Sequence, residues 1–323
     1  MFIGIDHGTS GIRFASPRCL FEIGRKRALE LSSNDLLGEI EKNLRITLDE
    51  VKLIGMTYSM GDAISRITPI WKVKNRGVKG GGGAGEHVGG GTRVFDVIKA
   101  ASIPAVLIPG IHRGSIGDPR MHVFSHGASP EKVGVCYYIY RRGHRSFIVS
   151  DVSSNTVTVA VADGKIIGAL DACIFAPGTL QGPLDLEMIR EVDSGLCSAN
   201  EAFSKGGVLH KLNKIDGTTP GEVIALFASM EISALSVLLK DYGVEFRDAD
   251  LFLTGAIGSD EAFRVEVGRL LSCEPVVLDR WTAAKGCLEI AEAVFEGESE
   301  ILGIGIDAPE GLNKEEKKTE KNI

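Results

Sequence analysis

The sequence predicts an α/β fold built from two similar halves, on three observations. The chain has 323 residues, more than one compact core usually holds. Short apolar runs alternate along it with helix-like segments. A strand ending in a carboxylate, a small polar tip and a second strand occurs at residues 2–15 and again at 146–162. The boundary therefore falls near residue 145, giving an N-terminal lobe over 1–145 and a C-terminal lobe over 146–306. The Glu/Lys-rich tail over 307–323 lacks an apolar period and is expected to be disordered.

Taken in order, Phe2 to Ile5 reads as a buried strand, His7-Gly8-Thr9-Ser10-Gly11 as a turn, and Ile12 to Ala15 as its hairpin partner. Asn34 to Asn43 is helix-like, and Val51 to Ser59 is a strand ending in Met60-Gly61-Asp62, a site-facing loop. Gly80 to Gly91 carries eight glycines in twelve positions, a composition suited to a mobile loop or to close backbone approach to a ligand. It follows no strong strand and so is no dinucleotide fingerprint. Asp96 to Ala101 reads as helix and Pro104 to Pro109 as strand, followed by a polar segment from His112 to His126. Ser129-Pro130-Glu131 supplies an N-cap, a proline at the first helical position and an acidic first turn, for a helix to about Arg142.

The second half opens with a strand at Ser146 to Ser150, the tip Asp151 to Thr156, and strands at Val157 to Ala162 and Ile166 to Leu170. Thr219-Pro220-Gly221-Glu222 has capping-box spacing ahead of a helix to about Tyr242. Leu251 to Leu253 is a strand running into Thr254-Gly255-Ala256-Ile257-Gly258-Ser259. A helix over Asp260 to Ser272, a strand over Pro275 to Leu278 and a helix over Ala283 to Phe295 complete the series.

Composition narrows the function. Hydrophobic residues at 44% and charged ones at 24% describe an ordinary soluble globular protein. With 36 basic against 43 acidic residues, a net charge of -7 and no dense Lys/Arg run, neither nucleic acid nor an anionic membrane is an expected partner. The six cysteines are scattered without zinc or iron-sulfur spacing and read as reduced thiols. The start Met-Phe-Ile-Gly-Ile-Asp places a carboxylate where a signal peptide needs cationic and then apolar residues, and no stretch of about 18 apolar residues follows, so a cytoplasmic location is expected.

Three segments carry chemistry. In Gly4 to Arg13, a glycine-bearing turn lets backbone N–H groups face an anion, Thr9 and Ser10 add hydroxyls beside Gly8, and Asp6 can orient a metal or a water. The tip with Asp151, Ser153, Ser154, Asn155 and Thr156 repeats this chemistry without glycine. Gly255, Ala256, Gly258 and Ser259 stand between a strand and a helix, where glycines admit a purine or its ribose. Each segment alone also suits an ordinary turn. His112, His122 and His126 suggest a metal site, since the last two would share a helical face, against the plainer reading of hydrogen-bonded surface histidines.

Together and in this order, the three segments resemble the two phosphate motifs and the adenosine motif of the acetate and sugar kinase, heat-shock-70 ATPase and actin superfamily, and Ala283-Ala284-Lys285-Gly286 resembles its second connecting motif. Within it, residues 1–300 are similar to acetate and butyrate kinases. Asp6-His7-Gly8-Thr9-Ser10-Gly11-Ile12-Arg13 echoes their opening N-x-G-S-S-S-x-K, and Ala176-Pro177-Gly178-Thr179-Leu180-Gln181 and Ser204-Lys205-Gly206-Gly207-Val208 stand where butyrate kinases have matching runs. The whole chain resembles the archaeal methanogenesis marker protein 12 family through FIGIDHGTSGIRFA, IPGIHRGSIGDPRMHVFSHGASPEKVG and APGTLQGPLDLEMIREVDSG.

The resemblance implies a duplicated ribonuclease-H-like, actin-like ATPase fold, with two lobes around a nucleotide cleft. ATP and Mg²⁺ are the implied cofactors. Asp6 and Asp151 would be the catalytic pair holding Mg²⁺ through water, and the three segments would hold the nucleotide. Acetate kinases also carry an Asp in F-D-T-A-F-H and an Arg in G-H-R-V-V-H-G-G, where Leu107 to His112 and Gly55 to Asp62 stand here without those charges. Asp62, His112, Arg113 and Arg120 are then the substrate-side candidates. Hydrolysis or switching is expected above acyl-phosphate synthesis. A non-catalytic nucleotide sensor or scaffold, assisting maturation of a methanogenesis enzyme, is the alternative. The expected partners are the nucleotide, a small carboxylic acid or a protein, and a homodimer is left open.

Overall fold

A computed structural model describes residues 1–8, 11–58, 63–73, 90–212 and 217–307. The first half supplies β1 (Phe2–Asp6), β2 (Gly11–Ala15), β3 (Leu20–Gly24), α1 (Arg25–Glu30), α2 (Ser33–Leu44), β4 (Leu53–Thr57), β5 (Thr68–Pro69), α3 (Gly90–Ala100) and β6 (Ala105–Ile108). Its sheet has the order β3-β2-β1-β4-β6-β5, with β1, β4 and β6 parallel and β2 and β3 antiparallel. A short ribbon of β7 (Ile111–His112) and β8 (His126–Ala128) precedes α4 (Pro130–Tyr140).

The second half supplies β9 (Phe147–Val152), β10 (Thr156–Ala162), β11 (Lys165–Asp171), α5 (Leu186–Asp193), α6 (Ala199–Ser204), α7 (Val208–Lys211), α8 (Pro220–Asp241), β12 (Asp250–Thr254), α9 (Gly255–Gly258), α10 (Glu261–Leu271), β13 (Val276–Val277), α11 (Thr282–Glu296), β14 (Glu300–Ile301) and β15 (Ile304–Gly305). Its sheet, β11-β10-β9-β12-β13, repeats the order of the first five strands of the N-terminal sheet. The capping box at Thr219 and Glu222 forms as its spacing predicts. By length and mean hydropathy α8 is the one described helix that would suit a membrane span, yet it packs on β9, β10, β11 and α10.

Side-chain alternation along the strands explains the layering. In the first sheet Ile3, Ile5, Ile54, Met56 and Leu107 face a core with α2 and α3, while Leu53, Val106 and Ile108 face the opposite way. In the second, Ile148 and Val152 face α8 and α10, while Phe147 and Val149 join Leu53 and Val106 in a shared core. That shared core lies between the sheets and is filled by α4 and α11. Each large apolar side chain buried there is worth about 1.5–3 kcal/mol.

The final helix crosses back. α11 lies across β1 and β4 of the first sheet, and Ile306 bridges to Ile67. Its crossing with α4 is close enough that a Cβ on Gly286 would stand 1.8 Å from the Gly134 carbonyl oxygen, a use for glycine that composition alone does not reveal. Asp307 pairs with Arg66 at 2.7 Å, and 308–323 lie outside the described residues. Of the glycine-rich run, Gly90 and Gly91 open α3, and 80–89 lie outside the described residues.

Candidate functional site

The strand parity that builds the cores also aims the carboxylates. On β1, Gly4 and Asp6 share the face opposite Ile3 and Ile5; on β9, Asp151 shares a face with Phe147 and Val149. Both aspartates therefore point into the space between the lobes, at the carboxyl ends of their sheets' central strands, where open α/β sheets place their ligands. A cleft of about 730 Å³ opens there.

Asp6 is 2% exposed, and its Oδ2 accepts from Arg13 Nη1 at 3.3 Å while its Oδ1 is buried without a hydrogen-bond partner. Burial first, and then the nearby Glu131 charge, push its carboxyl up to about 7 against the pull of Arg13 and Lys132. His7 beside it places Nδ1 2.8 Å from the Thr57 carbonyl oxygen, an acceptor only, so Nδ1 carries the proton and donates. Burial lowers His7 to about 4, so the ring is neutral at pH 7.

The first turn of α4 brings two further charges into the cleft. Lys132 is 6% exposed, with Nζ 3.0 Å from Glu131 Oε1 and 2.8 Å from Asp151 Oδ2. Burial alone would lower this ammonium, but Asp151 and Glu131 hold it far above its ordinary range. Burial would likewise raise Glu131, and Lys132 together with the Ser129 hydroxyl brings it below the usual carboxylate range.

On the second lobe, Asp151 Oδ1 accepts from Ser153 Oγ at 3.2 Å, and that hydroxyl accepts from Ala256 N at 3.0 Å. The second phosphate segment and the adenosine segment are thus tied together. Gly255 has φ +92°, and a Cβ there would stand 2.4 Å from Asp151 Oδ1, so glycine is required on both counts. The loop 176–182 clamps the tip from outside: Thr179 N donates to Ser153 O, and Leu180 N and Gln181 N to Ser154 O, at 2.8–3.0 Å.

The described cleft lining gathers Asp6, Gly8, Asp151, Ser153, Ser154, Asn155, Gly255 and Ala256 from the sequence-predicted set. Thr9, Ser10 and Asp62 lie outside the described residues. Thr156 is turned inward, donating to the Pro177 carbonyl at 3.0 Å, while Gly258 is buried and Ser259 reaches toward the Leu278 carbonyl. His112, Arg113 and Arg120 do not line the cleft. His112 Nε2 donates to Ile64 O, Arg113 to the His122 and Val123 carbonyls, and Arg120 pairs with Asp118 and Asp241.

The histidine metal reading is corrected: Pro119–Val123 is a 3-10 turn and His126 stands in β8, so His122 and His126 share no helical face. Among the described residues no three His, Cys, Asp or Glu side chains converge to hold a metal ion. Of the two aspartates expected to hold Mg²⁺ through water, Asp151 already has its oxygens on Lys132 and Ser153. Asp6 Oδ1, buried and unpartnered, fits an ion held through water.

Glu131, Lys132, Glu22, Asp279 and Arg280 also line the cleft, and none belongs to the three motif segments. Glu131 was legible only as a helix-start acid. Glu22 and Arg280 form an ion pair across the cleft mouth, joining β3 to the loop before α11.

No family model matches the chain. A UPF0285 protein of Methanosarcina mazei is 48% identical over 326 residues, covering 95% of this chain and 99% of its own. One of Methanocaldococcus jannaschii is 43% identical over 335 residues, covering 94% and 98%. Among solved structures, the acetate kinase of Porphyromonas gingivalis has a TM-score of 0.52 at 12% identity, covering 88% of this chain and 90% of its own. The propionate kinase of Francisella tularensis has 0.50 at 14% identity, covering 87% and 91%. The fold is therefore the actin-like ATPase and acetate kinase fold, two ribonuclease-H-like lobes around a cleft. With relatives this similar over nearly their whole length, the chain belongs to the UPF0285 family found in methanogens.

Proposed function

We propose that the cleft binds ATP with Mg²⁺ and that the protein is an ATPase or phosphotransferase working beside methanogenesis, in the cytoplasm where ATP is made. One observation carries this reading: the two strand-end aspartates, the second phosphate segment and the adenosine segment converge on a single interlobe cleft. The described lining holds five carboxyls, Asp6, Glu22, Glu131, Asp151 and Asp279, against the three cations Arg13, Lys132 and Arg280. A phosphate chain entering that surplus of negative charge must bring a cation, which is why the nucleotide is taken as its Mg²⁺ complex.

Asp6 Oδ1 would hold the hydrated ion. Bound there, Mg²⁺ would neutralise charge on the phosphates. Ser153 and the backbone around Asn155 would face the phosphate oxygens, and Gly255 and Ala256 the nucleoside. With the ion bound, its charge would draw the Asp6 carboxyl below its ion-free value, and Asp6 would serve as the carboxylate that orients an attacking water. Leu107 to His112 and Gly55 to Asp62 lack the Asp and Arg that acetate kinases carry in those stretches, which favours hydrolysis over transfer to a small carboxylic acid.

A nucleotide-sensing scaffold is the second reading, favoured by the Glu22–Arg280 pair, which links the lobes where opening would break it. Its partner would be a methanogenesis enzyme under maturation. Calorimetric titration of Mg²⁺-ATP and Mg²⁺-ADP, with phosphate release followed in the same samples, tests both. Binding with release that Asp6→Asn abolishes supports the ATPase; binding without release supports the sensor. Absence of binding would overturn both.

A further inference from the structure

The cleft contains a cation of its own. Lys132 stands at the junction of the lobes, buried, with two of its three N–H donors on Glu131 Oε1 and Asp151 Oδ2. Asp151 lies on the second phosphate segment, and Asp6 with its unpartnered Oδ1 faces the same cleft. The other two lining cations are tied to the Glu22 side of the cleft, Arg13 with Asp6 and Glu22 and Arg280 with Glu22 and the Trp281 ring, whereas Lys132 meets the second phosphate segment.

Resting on the nucleotide reading above, we propose that Lys132 is the phosphate-binding cation of this site, its third N–H donor taking an oxygen of the nucleotide's β- or γ-phosphate. A buried ion pair between Lys132 and Asp151 does little for stability by itself, because desolvation offsets the attraction. An ammonium on a four-carbon stem suits phosphate capture here, since it can keep one carboxylate while turning a donor toward a phosphate, as a rigid guanidinium fork cannot. Asp151 is then a positioning residue that aims Lys132. The cleft divides its positive charge between a fixed ammonium on the Asp151 side and the exchangeable ion on the Asp6 side.

The test compares affinities for Mg²⁺-ATP and for AMP, which has no β- or γ-phosphate, in the wild type, Lys132→Gln and Lys132→Arg, by calorimetry. Loss of one charged hydrogen bond weakens ATP binding about ten- to a hundredfold in Lys132→Gln. AMP binding stays within about twofold, and Lys132→Arg, whose rigid fork cannot keep Asp151 and also turn a donor to the phosphate, leaves most of the preference for ATP unrecovered. Should Lys132→Gln fail to fold, the same ATP-to-AMP ratio is read from Lys132→Gln/Asp151→Asn against Asp151→Asn alone, since the pair leaves only the partly exposed Glu131, still bonded to the Ser129 hydroxyl, without its ammonium. Equal weakening of ATP and AMP, or weakening of neither, overturns the proposal and leaves the nucleotide reading standing. A wild type that binds neither nucleotide overturns both.

Discussion

Replacing Asp6 by Asn changes how stability depends on pH, and the size of the change follows from the burial of that carboxyl. In the fold the group ionises near 7 rather than at 3.8, so ionising it there costs about 4 kcal/mol more than in the unfolded chain. For an acid raised this way the native state holds the proton longer than the unfolded chain. Stability therefore falls as pH rises from about 4 to about 7. His7 works in the opposite direction: lowered from 6.5 to about 4, its contribution is present above 6.5 and is lost, by about 3 kcal/mol, as pH falls through that window. In the wild type the two nearly cancel between pH 4 and 6.5. Asp6→Asn leaves the His7 component unopposed, so the variant gains stability as pH rises to 6.5, and its advantage over the wild type grows to about 4 kcal/mol at pH 8. Urea unfolding of both proteins at closely spaced pH values measures the difference directly. A stability difference that stays constant from pH 4 to 8 would mean that Asp6 ionises as an exposed carboxyl does, and the desolvation argument would be wrong.

Gly255→Ala forces a left-handed backbone on alanine and sets its methyl against Asp151 and Ser153; it should cost about 1–3 kcal/mol in thermal unfolding and weaken nucleotide binding by more than tenfold in calorimetry. An unchanged affinity would detach this loop from the nucleotide. Gly286→Ala drives a methyl into the Gly134 carbonyl and should lower stability by at least about 2 kcal/mol, read as a fall of several degrees in Tm. Thr219→Ala removes the cap whose Oγ1 accepts from Glu222 N at 3.3 Å and should cost about 1 kcal/mol in urea unfolding without altering nucleotide affinity.

Much of this architecture is written in local pattern. The repeat of strand, carboxylate, tip and strand is a period-2 signal, and period 2 decides which face Asp6 and Asp151 occupy, so both aspartates are legible in the sequence alone. The edge strand Leu20–Gly24 is not, because its half-exposed residues Phe21 and Glu22 show no clean alternation. Lys132 is hidden for a different reason. Its neighbours in sequence mark a helix start, and only the tertiary meeting of α4 with β9 puts an ammonium against Asp151. The histidines mislead because spacing four apart has meaning only on a helix, which Pro119 and the following strand do not provide. The polar candidates Arg113 and Arg120 are attractive as charges, yet carbonyls and carboxylates on their own side of the molecule consume them.

The return of α11 onto β1 and β4 has a consequence for how the chain is made. During synthesis the first sheet emerges early, but the helix that covers its inner face lies at residues 282–296 and the bridge to Ile67 at residue 306. Until nearly the whole polypeptide has left the ribosome, Leu53, Val106 and Ile108 have α4 but lack α11 to pack against on that side. The amino-terminal half is thus the first to be translated and among the last to be finished. Cut at residue 145 it would lose the α11 cover of its inner face, and a nascent chain stalled short of α11 would present a partly uncovered apolar sheet to whatever chaperone or neighbouring chain it meets.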